Sequence, residues 1–76
     1  MTDDPGGRPA QWYEIRVRGR LGATLRSAFP ALRARPDGAD TVLSGTLPDQ
    51  AALYGVLTEV AEFGLELLEV RRVPPP

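Results

Sequence analysis

The chain has 76 residues, a net charge of −1, and neither cysteine nor histidine. Its length allows one small domain, whose folding buries only about 60% of the surface of the unfolded chain, so a homodimer interface would add useful stability. The missing residue types exclude disulfides, thiolate metal sites and histidine-based proton transfer. The composition therefore predicts no catalytic site, no metal and no cofactor.

The two ends of the chain differ in composition from its middle. Residues 1–10 are rich in proline, glycine and charge and are predicted to form a disordered arm, while prolines 74–76 are predicted to form an extended tail. Residues 11–73 are the predicted folding unit. The acidic start does not resemble a signal peptide, and no apolar run reaches the roughly 20 residues that span a bilayer. We therefore expect a cytoplasmic protein without membrane contact.

The first two elements are predicted from two different hydrophobic periods. From Tyr13 to Leu21, apolar or small residues alternate with charged ones, which is typical of a half-buried strand. Between Gly22 and Pro30 the large apolar residues recur at four-residue spacing, which predicts a helix of about two turns over Ala23–Phe29.

The next part of the chain begins with a predicted hairpin. Strands are expected at Leu32–Arg35 and Thr41–Leu47, joined by a turn over residues 36–40 that contains proline, aspartate and glycine. A helix is expected to start at Asp49, whose carboxylate can accept hydrogen bonds from the first turn. Gly64 is expected to end that helix in a left-handed conformation. Within the helix, an apolar stripe at i, i+3, i+4 and i+7 is expected to face the core: Leu53, Val56, Leu57 and Val60.

The last predicted element is a strand over Leu65–Val73, whose register the sequence leaves open. The order strand, helix, strand, strand, helix, strand is that of the ferredoxin-like fold. We therefore predict an α+β sandwich with a four-stranded antiparallel sheet and two helices on one face. The other face would carry a charged row: Glu14, Arg16, Arg18, Arg20, Arg33 and Arg35.

Three segments resemble a known group of sequences. They are Ile15–Leu21 (IRVRGRL), Val42–Leu47 (VLSGTL) and Asp49–Leu57 (DQAALYGVL). They are similar to short uncharacterised proteins common in actinobacteria, and the likeness covers most of residues 12–73. In that group, histidine is frequent where this chain has Tyr54. The resemblance implies a ferredoxin-like fold and an actinobacterial origin, and it implies no activity.

The loop after the first predicted strand resembles a second family. Residues 19–25 (GRLGATL) are similar to the Gly-x-Pro-Gly-x-Leu pattern of ACT domains, with Leu21 where proline is usual. ACT domains share the ferredoxin-like plan and bind amino acids or related small ligands at this turn. The resemblance implies a small-carboxylate site at Arg20, Leu21, Gly22 and Ala23. Gly22 would let the backbone approach the ligand, and free N–H groups of the first helical turn would face its carboxylate.

Six residues are candidates for contact with a protein partner, because Trp, Tyr and Arg are enriched at the energetic centres of protein contacts. They are Trp12, Arg16, Arg18, Arg20, Arg33 and Tyr54. The arginines could also follow a nucleic-acid backbone. A net acidic chain without aromatic residues at the centre of the sheet face disfavours nucleic acid as a partner. A solvated or ion-paired face is the alternative that needs no partner.

The hydroxyl groups of the chain lack the residues that would activate them. No histidine or lysine is present to deprotonate a serine or threonine, so we expect no enzyme. Residues 1–38 have a net charge of +3 and residues 39–76 a net charge of −4, which could bring basic and acidic surfaces together. Our first hypothesis is a non-catalytic accessory module that self-associates and binds a protein partner through its sheet face or edge. An ACT-like carboxylate sensor is the second, and nucleic-acid binding the third.

Overall fold

A computed structural model describes residues 10–73 of the chain. In chain order the elements are β1 (Gln11–Val17), α1 (Ala23–Ser27), β2 (Arg33–Asp37), β3 (Asp40–Leu47), α2 (Gln50–Glu62) and β4 (Leu67–Val73). The predicted arm and proline tail fall outside the described residues, except for Ala10, which is exposed and precedes β1. No helix in this range is long and apolar enough to cross a membrane.

The four strands form one antiparallel sheet in the order β2-β3-β1-β4. β1 and β3 are therefore the central strands, and β2 and β4 are the two edges. Four antiparallel strands with two helices confirm the predicted α+β class and are consistent with the ferredoxin-like sandwich.

The core lies between the sheet and α2. Alternate residues of β1 are buried, and Ile15 lies directly opposite Leu43 of β3. Leu53 and Val60 of α2 are buried against the same cluster. Phe29, just after α1, is also buried and packs edge-on against Phe63 with 5.9 Å between ring centroids. The predicted inward stripe of the second helix is thus confirmed.

The first strand is shorter than the alternation predicts, since β1 ends at Val17 rather than Leu21. Gly19 has a φ of 90°, a left-handed conformation that turns the chain out of the sheet. The Thr41 hydroxyl holds this bend by donating to the Gly19 carbonyl at 2.7 Å and accepting from the Leu21 N–H at 3.3 Å. The residues beyond Gly19 therefore do not continue the strand's two faces.

The hairpin and the first helix also differ in length from the prediction. β2 and β3 extend until Asp37 lies opposite Asp40, so the connecting turn contains only Gly38, with a φ of 64°, and the residue after it. Pro36 is accommodated because β2 is an edge strand. α1 starts where predicted but ends at Ser27, and the chain continues with i→i−3 hydrogen bonds from the next two N–H groups.

The boundaries of α2 agree with the sequence signals. The Asp49 carboxylate accepts a hydrogen bond from the Ala52 N–H at 2.8 Å, and Gly64, just after the helix, has a φ of 74°. The final strand starts at Leu67, two residues later than predicted. Its register on β1 shifts between Arg16 and Val17, which leaves Leu68 as the extra residue of a bulge.

Candidate functional site

The sheet face away from the core, called here the open face, carries most of the charged side chains of the strands. By strand register its members are Trp12, Glu14, Arg16, Arg33, Arg35, Asp37, Asp40, Val42, Ser44, Thr46, Glu69, Arg71 and Val73. Val42 is buried although no helix covers it, because long charged side chains with apolar stems surround it. The resulting shallow concavity, about 200 Å³, is lined by both signs of charge.

Ion pairs neutralise much of the charge on the open face. The Arg16 guanidinium contacts the Asp37 carboxylate closely, and its Nη1 lies 3.4 Å from Asp40 Oδ2. The hydrogen bond and charge of Arg16 hold the pKa of Asp37 below its usual value, and Asp37 in turn raises the pKa of Arg16. Arg71 Nη2 lies 3.2 Å from Glu14 Oε1. The open face is therefore a pattern of paired charges rather than a basic surface.

The predicted row of arginines is interrupted at Gly19. Arg18 lies beyond the end of β1, where its Nε donates to Glu66 Oε1 at 2.8 Å. Arg20 lies in the following loop and donates from Nε to the Gly38 carbonyl at 3.1 Å. The prediction that one strand carries Arg16, Arg18 and Arg20 is wrong, because β1 ends at Val17. The left-handed Gly19 ends the alternation that placed Arg20 on the sheet face. Of the three arginines, only Arg16 lies within β1.

The other candidate partner residues lie on two different sides of the molecule. Trp12 is 41% exposed at one end of the open face, opposite Thr46, and Arg33 is exposed on the same face. Tyr54 is 59% exposed on the outer side of α2, as its helical phase predicts. Trp12, Arg16 and Arg33 therefore share a surface, whereas Tyr54 does not. The centre of the open face has no aromatic residue on which a nucleobase could stack.

The four residues of the predicted carboxylate site do come together. Arg20, Leu21, Gly22 and Ala23 line a concavity of about 220 Å³. Arg26 and Arg35 also line it, which makes three arginines around one opening. Gly22 has a φ of −74°, and a Cβ there would meet nothing within 4 Å, so the site does not depend on glycine for its backbone conformation.

The outer edge of β4 is the surface that the sequence did not indicate. β4 pairs with β1 on one side, and no described strand lies on its other side. Leu67, Leu68 and Val70 are 42%, 37% and 37% exposed. The only available signal was the mixture of apolar and charged residues in the segment, which does not fix a strand's register. We call Leu67–Val73, whose outer side pairs with no strand among residues 10–73 and which carries exposed apolar residues, the β4 edge.

Comparison with known proteins gives a family but no activity. A family model described as a domain of unknown function (DUF8691) matches residues 12–71. No curated protein and no solved structure shows a significant match. Within residues 10–73, no three carboxylates are grouped so that they would hold a metal ion.

Proposed function

The chain belongs to the DUF8691 domain family, and from its surfaces we propose that it is a non-catalytic interaction module that self-associates through the β4 edge. The observation that carries this proposal is the combination of a strand edge that no other strand of residues 10–73 pairs with and the exposed Leu67, Leu68 and Val70 on it. Unpaired N–H and C=O groups of an edge strand are a template for another strand. Apolar side chains beside them stabilise such a contact further, because the contact removes them from water.

The contact formed by one pair of strands would be modest in area. Stable protein interfaces bury about 1,200–2,000 Å² in total. A pair of strands of seven residues each offers less area than such an interface needs. Apolar burial contributes about 25 cal/mol per Å². We therefore propose a reversible homodimer whose population depends on protein concentration.

Edge pairing would leave the open face available to a second protein. Trp12 and Arg33 are exposed there and belong to residue types that often anchor protein contacts. We therefore assign the accessory role of the module to this face. Its partner would be a protein whose surface carries charged residues and can also bind an aromatic side chain.

The test of self-association is sedimentation velocity across a wide range of protein concentration. The wild-type chain should shift from monomer to dimer as concentration rises, and Val70→Lys should remain monomeric because a lysine on the edge disfavours strand pairing. Thr46→Lys is the matched control, since Thr46 is exposed on central strand β3 of the open face. A wild-type chain that stays monomeric would contradict the proposal. Loss of the dimer in Thr46→Lys alone would assign self-association to the open face instead.

A small-carboxylate sensor is the second candidate, favoured by the concavity that Arg20, Leu21, Gly22 and Ala23 line together with two further arginines. A panel of amino acids should then raise the melting temperature. Gly22→Val should abolish the effect, because the valine side chain would occupy space that the ligand needs, and the position accepts it without straining the backbone. Gly22→Ala adds a smaller side chain and should weaken the effect less. A melting temperature unmoved by every compound in the panel would remove this candidate.

A further inference from the structure

We propose that two copies of the chain pair through antiparallel β4 strands in one specific register, with the twofold axis at Val70. The two four-stranded sheets would then form one continuous sheet of eight strands. This inference rests on the proposed function and goes beyond it, because it states which residues of the two copies face one another.

Strand geometry limits the possible registers. Residues directly opposite one another in an antiparallel pair lie on the same face of the sheet. In β4, Glu69 and Arg71 lie on the open face, opposite Arg16 and Glu14 of β1, and Val70 lies on the core face, opposite Ile15. A pair that keeps the helices of both copies on the same side must therefore have its axis at a residue, not between two residues. The central candidates are axes at Glu69, Val70 and Arg71.

Charge decides among these three registers. An axis at Glu69 would place two glutamates opposite each other, and an axis at Arg71 would place two arginines opposite each other. Like charges directly opposite on adjacent strands are destabilising. With the axis at Val70, Glu69 of each copy lies opposite Arg71 of the other, so two ion pairs form on the open face. The sequence LLEVRRV is thus complementary to itself in one register only.

This register extends a charge pattern already present within one chain. Glu14 lies opposite Arg71 and is paired with it, and Glu69 lies opposite Arg16. Across the proposed joint, the row would read Glu14 and Arg71 of one copy, then Glu69 and Arg16 of the other. The sign of the charge alternates along this whole row. The twofold axis generates a second, identical row.

The core face of the joint is complementary in a different way. The two copies of Val70 would lie opposite each other, and both are partly exposed in the single chain. Arg72 would lie opposite Leu68 of the second copy, so that its apolar stem covers the exposed leucine while its guanidinium stays in water. Because the same surface is used by both copies, the contact closes at two and does not propagate.

The test is a charge exchange between two variants, followed by native mass spectrometry of each variant alone and of their mixture. Glu69→Arg alone places like charges opposite one another, as does Arg71→Glu alone, so each homodimer should weaken about tenfold. In the mixture, the new arginine at position 69 faces the new glutamate at position 71, and the mixed dimer should predominate. The double variant Glu69→Arg/Arg71→Glu should form homodimers again.

Matched controls separate the register from general effects of charge. Glu59→Arg changes an exposed residue on α2, and Arg33→Glu changes an exposed residue on the opposite edge strand. Mixing these two should give no preference for the mixed dimer, and circular dichroism should show that all variants fold. Homodimers of the single variants as strong as the wild type would overturn the register, as would a mixture without preference, while leaving self-association intact. A wild-type chain that never dimerises would overturn both.

Discussion

The two edge strands of this sheet differ in how they meet solvent. β2 presents Arg33, Arg35, Pro36 and Asp37, all exposed, whereas β4 presents three exposed apolar residues in addition to its charged ones. Charged residues and proline are features that protect a strand edge from further pairing. The difference favours strand pairing at the β4 edge over strand pairing at the β2 edge.

An asymmetric sheet of this kind has a simple consequence for assembly. If both edges were open, chains would add at each end and form fibres. In the proposed dimer, pairing of two copies would use the β4 edge of each and would end there. The charged β2 edge would then be as important to a dimer of limited size as the apolar β4 edge.

The largest effect is expected where the β2 side of the sheet is held to the core. Gly45 of β3 lies beneath the segment that leads into β2, and a Cβ there would be 2.6 Å from the Ala31 carbonyl oxygen and 3.0 Å from Leu32 Cδ2. Gly45→Val should therefore lower the free energy of unfolding by about 1–3 kcal/mol, as overpacking does. Thermal unfolding followed by circular dichroism measures the loss.

Gly45→Ser would serve as a graded comparison, because it adds one small group to the same crowded position. Its loss should be smaller than that of Gly45→Val but still measurable. Unchanged stability in both variants would show that the Ala31 segment is free to move and that β2 is not held by this close contact.

The second prediction concerns a variant that lacks the arginines expected to protect the β2 edge from strand pairing. Arg33→Val combined with Arg35→Val should create a second apolar edge, so the chain should form assemblies larger than dimers as concentration rises. Sedimentation velocity measures this, and the control Arg33→Lys/Arg35→Lys, which keeps the charges, should match the wild type. If the valine variant stops at dimers, the charges of β2 are not what limits assembly.

Local sequence signals predicted much of the fold. The element order, the capping role of Asp49, the left-handed Gly64 and the inward stripe of α2 all follow from patterns within a few residues of chain. The features that were predicted wrongly depend on contacts between residues far apart in the sequence. β1 was predicted too long because Gly19 fits the alternation, and its bend is fixed by Thr41, which is 22 residues away.

The candidate surfaces were predictable to a smaller extent. The loop at Arg20–Ala23 does line a concavity, and the open face does carry Arg16 and Arg33. The sequence cannot show that Arg16 is engaged by two aspartates of the hairpin, since that depends on which strands are neighbours. The exposure of β4 was missed for the same reason: burial of an edge strand depends on whether a helix covers it.

The third prediction concerns α2, which takes no part in the proposed contact between two β4 edges. Gly55 of this helix is exposed, and a Cβ there would meet nothing within 4 Å, so no close contact among residues 10–73 requires a glycine at this position. Gly55→Ala should therefore raise the free energy of unfolding by about 0.5–1 kcal/mol through helix propensity. The dimerisation constant should not change. A variant that is stabilised but no longer dimerises would place α2 in the interface and contradict pairing through the β4 edge.

The smallest effect should come from the ion pair that ties the β2 hairpin to the centre of the sheet. Arg16 lowers the pKa of Asp37 below its ordinary value of 3.8. The stability that results is present above that value and is lost as the pH falls through the lower pKa of the folded state. Arg16→Met should therefore melt below the wild type at neutral pH, and the difference should shrink as the pH falls below 3.8.

Arg33→Met is the matched control, since it removes an arginine from the same face that makes no ion pair among residues 10–73. Its difference from the wild type should vary less with pH in thermal melts across that range. If the Arg16→Met difference persists unchanged at low pH, Arg16 stabilises the sheet through its apolar stem over Val42 rather than through charge. The β2 edge would then be held by packing alone, and its exposed charges would serve only to keep other strands away.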